Sequence, residues 1–259
     1  WDLDTGEQIA KLEGHGDWAW GIAKTPDGSR VASCGRDRTV VVWDMVLRRI
    51  WKKLVHVGEV LCVAIFDDGM TAVTGQGKDV LVWNVPLTKQ TAALSGHTQP
   101  VRCVAAYNGR VVSGSQDATL RVWGLSGQKW TCLHVLEGHT QTVRSVCVQN
   151  NVILSGSQDQ TLHAWKLEDG QVICTMHGHR GDVRAVGLSA NGTRAVSGSF
   201  DRTVRIWDVM SGEELSELQG HSDKIFGVAM CADGSRAVSC SWDASLRVWD
   251  LSDEVADHQ

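Results

Sequence analysis

Five times along the chain a histidine, an aspartate and a hydroxyl side chain recur at fixed spacing ahead of a tryptophan. The sets are His15, Asp37, Thr39 and Trp43; His97, Asp117, Thr119 and Trp123; His139, Asp159, Thr161 and Trp165; His179, Asp201, Thr203 and Trp207; and His221, Asp243, Ser245 and Trp249. Carboxylate, imidazole and hydroxyl are the groups of a hydrolytic proton relay, in which the carboxylate orients the imidazole and the imidazole takes the hydroxyl proton. A relay serves one reaction centre, so five copies in one chain argue for a structural use. The Asp can accept a hydrogen bond from the His, the His can meet the Ser or Thr hydroxyl, and that hydroxyl can reach the indole N–H. A buried polar network is favourable only when every member is satisfied, which is reason enough for the residues to recur together. No residue is assigned a catalytic role.

A sixth set is defective. It keeps His56 and Trp83 but has Gly77 six residues before the Trp, where the others have Asp, and Asp79 four before it. Either Asp79 takes over as acceptor for His56 or the network is absent there. This segment is expected to be the least stable, because a buried polar group left unpaired costs about 1–3 kcal/mol.

The elements that position these residues follow from the period. Trp1, Trp43, Trp83, Trp123, Trp165, Trp207 and Trp249 are separated by 42, 40, 40, 42, 42 and 42 residues, and Gly-His pairs at Gly14, Gly96, Gly138, Gly178 and Gly220 keep step with them. Each period contains four short β-patterned runs, such as VRAVGL, TRAVSGS, TVRIWD and EELSELQ. Turn signals lie between them at Asp27-Gly28, Asp68-Gly69, Asn108-Gly109, Asn191-Gly192 and Asp233-Gly234. A repeat this small cannot bury both its faces alone, so neighbours must stack.

The combination resembles the WD40 repeat over essentially the whole chain, with intact Trp-Asp pairs at Trp1, Trp43, Trp207 and Trp249. The resemblance implies an all-β fold, a β-propeller of six blades with four antiparallel strands each, spanning residues 1–251 as a single domain with a polar tail over 252–259. Residues 1–14, which include GEQIAKL, are expected to supply an outer strand that completes the last blade. Alternatively, Trp1 is the stump of an earlier blade in a seven-bladed or larger array. The first residue is Trp rather than Met, and the chain reads as a piece of a longer one.

Composition removes several function classes. The net charge is −5 with no basic stripe, which disfavours nucleic acid, and no run of about 18 apolar residues is present for a membrane span. The eight cysteines lie mostly in strand patterns without C-x-x-C or zinc-ligand spacing, which fits reduced thiols in a cytoplasmic or nuclear protein. No metal, cofactor or small-molecule substrate is expected.

Family resemblance places partner recognition on the narrower "top" face. Five residues after each histidine stand Trp20, Leu61, Arg102, Arg144, Arg184 and Phe226; three after it stand Trp18, Glu59, Pro100, Thr142, Asp182 and Lys224. Just before the turn Asp, or the Gly replacing it, stand Arg36, Gln76, Gln116, Gln158, Phe200 and Trp242. One side of this face is expected to be cationic, through Arg102, Arg144 and Arg184, and the other aromatic. Trp and Arg are enriched among binding hot spots, and arginine's planar fork suits carboxylate or phosphate. Blades three to five resemble F-box/WD substrate adaptors, in which arginines at the positions of Arg102, Arg144 and Arg184 hold phosphorylated degrons. Another arginine of that family is replaced here by Gln116 and Gln158, and no F-box is present in the sequence. The expectation is a non-catalytic scaffold or adaptor for a protein or peptide, acidic or phosphorylated. The alternatives are a sensor or regulatory domain of a larger signalling or nucleotide-binding protein, and a subunit of an RNA-processing complex.

Overall fold

The computed structural model describes residues 1–252. Among them, twenty-three β-strands form six antiparallel sheets, five with four strands and one with three. The fold is all-β, with six propeller blades. Blade five shows the plan: Val183–Leu188, Arg194–Ser199, Val204–Asp208 and Glu214–Leu218 lie side by side in chain order. The first hairpin turns at Asn191-Gly192, where Gly192 takes φ 73° and the Asn191 side chain accepts the Thr193 N–H and the Ser189 hydroxyl. That left-handed conformation is one glycine adopts without steric penalty.

Apolar residues on the second and third strands of one blade meet the first strand of the next. Val196, Val204 and Ile206 of blade five pack with Ile225, Val228 and Met230 of blade six. Ala32, Cys34, Val40 and Val42 of blade one likewise pack with Val60, Val63 and Ile65 of blade two. Covering a Val or Ile side chain in this way is worth about 1.5–3 kcal/mol. Stacking therefore stabilises each sheet far more than its own hairpins do.

The chain divides into two compact units, one holding residues 1–111 and 123–131, the other 112–122 and those from Cys132 onward. Blades one and two belong to the first; blades four, five and six belong to the second. The boundaries fall within blade three.

Blade six departs from the expected four strands. Among the described residues it consists of Ile225–Met230, Arg236–Ser241 and Leu246–Asp250, and residues 1–14 form no strand. A strand holds its shape through bonds to a neighbouring edge. The N-terminal backbone bonds are local instead, from Asp2 N–H to Glu7 C=O and from Gly6 N–H to Asp2 C=O. The expected polar tail lies outside the described residues beyond Ser252.

Candidate functional site

The repeated polar sets are internal. In blade five His179 is buried, its Nδ1 2.8 Å from Asp201 Oδ2 and its Nε2 2.8 Å from Ser197 Oγ, and Trp207 Nε1–H donates to the same Ser197 at 2.8 Å. Blades one, four and six repeat this with Ser33, Ser155 and Ser239. The geometry is the same in each: the indole N–H donates to the serine oxygen, which also lies within hydrogen-bond distance of Nε2, while Nδ1 faces the carboxylate. Burial opposes ionisation of Asp37, but hydrogen bonds from Gly16 N–H, Thr39 and His15 outweigh it and hold the carboxyl at about 2. Asp159 and Asp201 are held low by the same balance.

The hydroxyl in this chain is not the one expected. Thr39, Thr161, Thr203 and Ser245 donate to the aspartates at 2.6–2.8 Å and so brace the turn. The indole partner is the second-strand serine ten residues before the Trp. It recurs as the first Ser of SGSQD and SGSFD, a signal as regular as the aspartate.

Blade two keeps half of the arrangement. His56 Nε2 lies 3.1 Å from Thr74 Oγ1, which also accepts the Trp83 indole N–H at 3.2 Å, while the buried Nδ1 has no partner. Asp79 does not replace the missing carboxylate; it pairs with Gln76 across a two-residue turn at Gly77-Lys78. Thr74 precedes Trp83 by nine residues where the serines precede theirs by ten. The turn has lost a residue, and with it the place for an aspartate. Burial without a counter-charge lowers the His56 pKa to about 4.

Two backbone features display the outward residues. A β-bulge interrupts the pairing of first and second strands at the fifth residue after the histidine: at Trp20, Arg144, Arg184 and Phe226. A bulge leaves one residue unpaired and re-aims its side chain. In addition, the residue before the turn Asp donates its N–H to the carbonyl three residues after the histidine. These bonds run from Arg36 to Trp18, Gln158 to Thr142, Phe200 to Asp182 and Trp242 to Lys224, at 2.8–3.0 Å. Three side chains are thereby gathered at one end of each of these four blades, of which Thr142 in blade four is buried.

In the second unit this gathering mixes charge and ring. Phe226 stacks on Trp242 with centroids 4.9 Å apart, and Phe200 lies 5.3 Å from Phe226. Lys224 Nζ sits 5.1 Å from the Phe200 ring and 5.3 Å from Trp242, and the Arg184 guanidinium is 5.6 Å over Phe226. Each such cation–π contact is worth about 0.5–2 kcal/mol. Trp242 remains 64% exposed. Arg144 points elsewhere, to Asp182 and Gln158, each at 3.2 Å. Cations and rings are thus interleaved here, not set on opposite sides. Sequence alone did not single out Lys224 as a partner of the rings.

The first unit has a different cluster. Trp18 and Trp20 meet edge to face at 5.6 Å, both exposed. Arg36 bridges Glu59 at 3.4 Å and Asp17 at 3.9 Å. Leu61 is half-buried near the start of blade two. In blade three Arg102 is half-buried on the first strand and Gln116 is exposed at the turn. All eight cysteines are free thiols, and among the described residues no group of three or more His, Cys, Asp or Glu is placed to hold a metal ion.

A family model described as WD domain, G-beta repeat, matches residues 6–44, 88–124, 130–166, 170–208 and 212–250, well over half of the chain. Curated relatives resemble about half of it. The DENN domain and WD repeat-containing protein SCD1 of Arabidopsis thaliana is 28% identical over 127 residues, covering 48% of this chain and 11% of that protein. Telomerase protein component 1 of Mus musculus is 30% identical over 131 residues, 48% of this chain and 5% of that protein. The serine-threonine kinase receptor-associated protein of Gallus gallus is 30% identical over 127 residues, 48% of this chain and 36% of that protein. The chain thus matches only a small part of the first two and about a third of the last.

Proposed function

The chain belongs to the WD40 family, and from that premise we propose that it is a non-catalytic interaction module gripping a protein or peptide partner on the Phe200–Phe226–Trp242 cluster of blades five and six. The observation that carries this reading is the exposed Trp242 ring stacked on Phe226 beneath two cations. Exposed apolar patches are otherwise avoided on soluble surfaces. A large ring beside charge-bearing groups is the usual composition of a binding hot spot.

The partner segment carries an apolar or aromatic residue that lies on Trp242, next to an acidic or phosphorylated residue that meets Lys224 and Arg184. Arg144, committed to Asp182 and Gln158, positions the rim and does not take the anion. Two of the relatives are named as a component of an assembly and as an associate of a receptor, which accords with this role. Eight free thiols fit the cytoplasm or nucleus, where such groups stay reduced.

The test is capture of fluorescent peptides in which one Phe is flanked by Asp, phosphoserine, Ser or Lys. Trp242→Ala should weaken capture of the acidic peptides about 30-fold, a hot-spot loss of about 2 kcal/mol. Lys224→Glu should weaken only the acidic and phosphorylated series; both variants should remain folded, with melting temperatures lowered by several degrees through the lost ring contacts. Equal capture by wild type and Trp242→Ala overturns the site; equal capture of acidic and basic peptides overturns the partner class.

A further inference from the structure

A cavity of about 430 Å³ lies wholly within the second unit, lined by the turn ahead of the third strand of blade five and the loop that leads into blade six. Its wall carries three arginines, Arg180, Arg202 and Arg205, and two carboxylates, Asp201 and Glu217. What it can hold depends on which of these charges are free to meet a ligand.

Both carboxylates are engaged within the chain. Asp201 Oδ2 lies 2.8 Å from His179 Nδ1 and accepts the Arg180 N–H at 2.9 Å, while Oδ1 accepts the Thr203 N–H at 2.9 Å and the Thr203 hydroxyl at 2.7 Å. Glu217 pairs through Oε2 with Arg205, and its Oε1 accepts the Gln219 side-chain N–H at 2.7 Å. Arg205 is 6% exposed and ion-paired to Glu214 as well as Glu217. His221, also on the wall, has Nδ1 2.7 Å from Asp243 and Nε2 2.7 Å from Ser239. By contrast, the Arg180 and Arg202 side chains are exposed, and among the described residues neither guanidinium has a hydrogen bond or an ion pair. The cavity thus presents two uncommitted positive charges, and each negative charge on its wall is already balanced by donors.

The other blades show that the fold does not require these two cations. The residue after the blade histidine is Gly16, Val57, Thr98, Thr140, Arg180 and Ser222 in turn. The residue after the turn Asp is Arg38, Ala118, Gln160, Arg202 and Ala244, and all five take the same left-handed backbone, at φ 62°, 66°, 73°, 75° and 61°. Alanine or glutamine therefore serves that turn as well as arginine does. Blade five alone has arginine at both positions. Charge and shape then select the ligand. One planar guanidinium fork satisfies a carboxylate, with its two oxygens and single charge. Two forks match a phosphate monoester, which carries about −1.5 to −2 charge at pH 7 and three strong acceptor oxygens. Small-molecule sites occupy about 300–1,000 Å³, so this cavity also has room for the group that bears the phosphate.

We propose that the Arg180–Arg202 cavity of blade five is a binding site for a phosphate monoester, held by both guanidinium forks. None of its lining residues belongs to the Phe200–Phe226–Trp242 cluster or to the Lys224 and Arg184 beside it, so the two sites can be lost separately.

Capture of a fluorescent peptide that bears one phosphoserine among glycines and serines, with no aromatic residue, tests this. The Arg180→Ala/Arg202→Ala variant should bind it about 30-fold more weakly than wild type. Its melting temperature should not change, because both side chains are exposed and unpaired. Replacing the phosphoserine by aspartate should weaken capture by wild type about tenfold. Absent capture, or equal capture by wild type and the arginine variant, overturns the site; equal capture of the aspartate and phosphoserine peptides overturns the ligand class. Trp242→Ala should leave this capture within about twofold, as expected of an independent site. A loss in Trp242→Ala with none in the arginine variant assigns the phosphate to the aromatic cluster and overturns the proposal. Given the loss in the arginine variant, competition by millimolar sodium phosphate distinguishes the sources: release of the peptide identifies a small phosphate ester as sufficient, and retention identifies a phosphorylated side chain.

Discussion

Blades five and two are made to one plan, and they differ in a single turn residue. In blade five both nitrogens of His179 are satisfied, and Asp201 Oδ2 also takes the Arg180 N–H of the incoming loop. In blade two the Nε2 half survives and the Nδ1 half is gone. The difference separates two tasks that look like one in the sequence. The Nε2–hydroxyl–indole half ties the second strand to the third and is kept in blades one, two, four, five and six alike. The Nδ1–aspartate half ties the turn to the incoming loop, and a blade with a shorter turn does without it.

The largest expected effect follows from breaking the complete blade. Asp201→Ala strands a buried imidazole N–H and frees the Arg180 and Thr203 N–H groups. The expected loss is about 3 kcal/mol, seen as a fall of roughly 6–12 °C in melting temperature by calorimetry. A change under 2 °C would show that the aspartate half is dispensable in blade five as well. Ser197→Ala, which breaks the other half, should be comparably severe because it disconnects His179 from Trp207.

Most of this was legible before the fold was known, because a period of about forty residues exposes every structural requirement six times over. His, Asp and Trp were visible as a set since each stands at a fixed distance from the others. The second-strand serine is equally periodic; Thr39 and its equivalents lie nearer the Trp in sequence, yet they bond the aspartates while the serines take the indole N–H. In blade two, counting back from Trp83 put Gly77 and Asp79 into positions that the shortened turn no longer contains. The Lys224–aromatic contacts depend on the bulge at Phe226. An inserted residue turns one side chain out of the alternation that strand patterns rely on, so reading by period names the residues and not their neighbours.

A smaller effect sharpens the contrast without mutation. Hydrogen exchange should show blade two opening before blade five, since its unpaired Nδ1 and untied loop lower the local opening free energy by about 1–3 kcal/mol. The amides of residues 56–83 are expected to exchange roughly 5- to 150-fold faster than those of 179–207. The slowest exchange in residues 56–83 would refute this.

Acid distinguishes the two blades by window. His56 stays neutral in the folded chain because burial lowers its pKa to about 4, while the same side chain in the unfolded chain titrates near 6.5. The unfolded state therefore binds the extra proton first, and stability falls as pH drops from about 6.5 towards 4. Asp201 has the opposite chemistry: its folded carboxylate is held below the ordinary range, so its contribution is complete above about pH 4 and is lost only on further acidification. His163 in blade four, also buried with an unpartnered Nδ1 and lowered to about 4 by burial and by His139 beside it, adds to the upper window. His56→Gln, which retains a donor for Thr74 and cannot titrate, should reduce the fall in melting temperature between pH 7 and pH 5 by on the order of 2–4 °C. His163 contributes a further part of the fall, which should diminish in turn in His163→Phe. An unchanged pH dependence in both variants would mean that neither imidazole is held neutral by burial, and the distinction between a satisfied and a half-satisfied blade would then rest on the hydrogen-bond geometry alone.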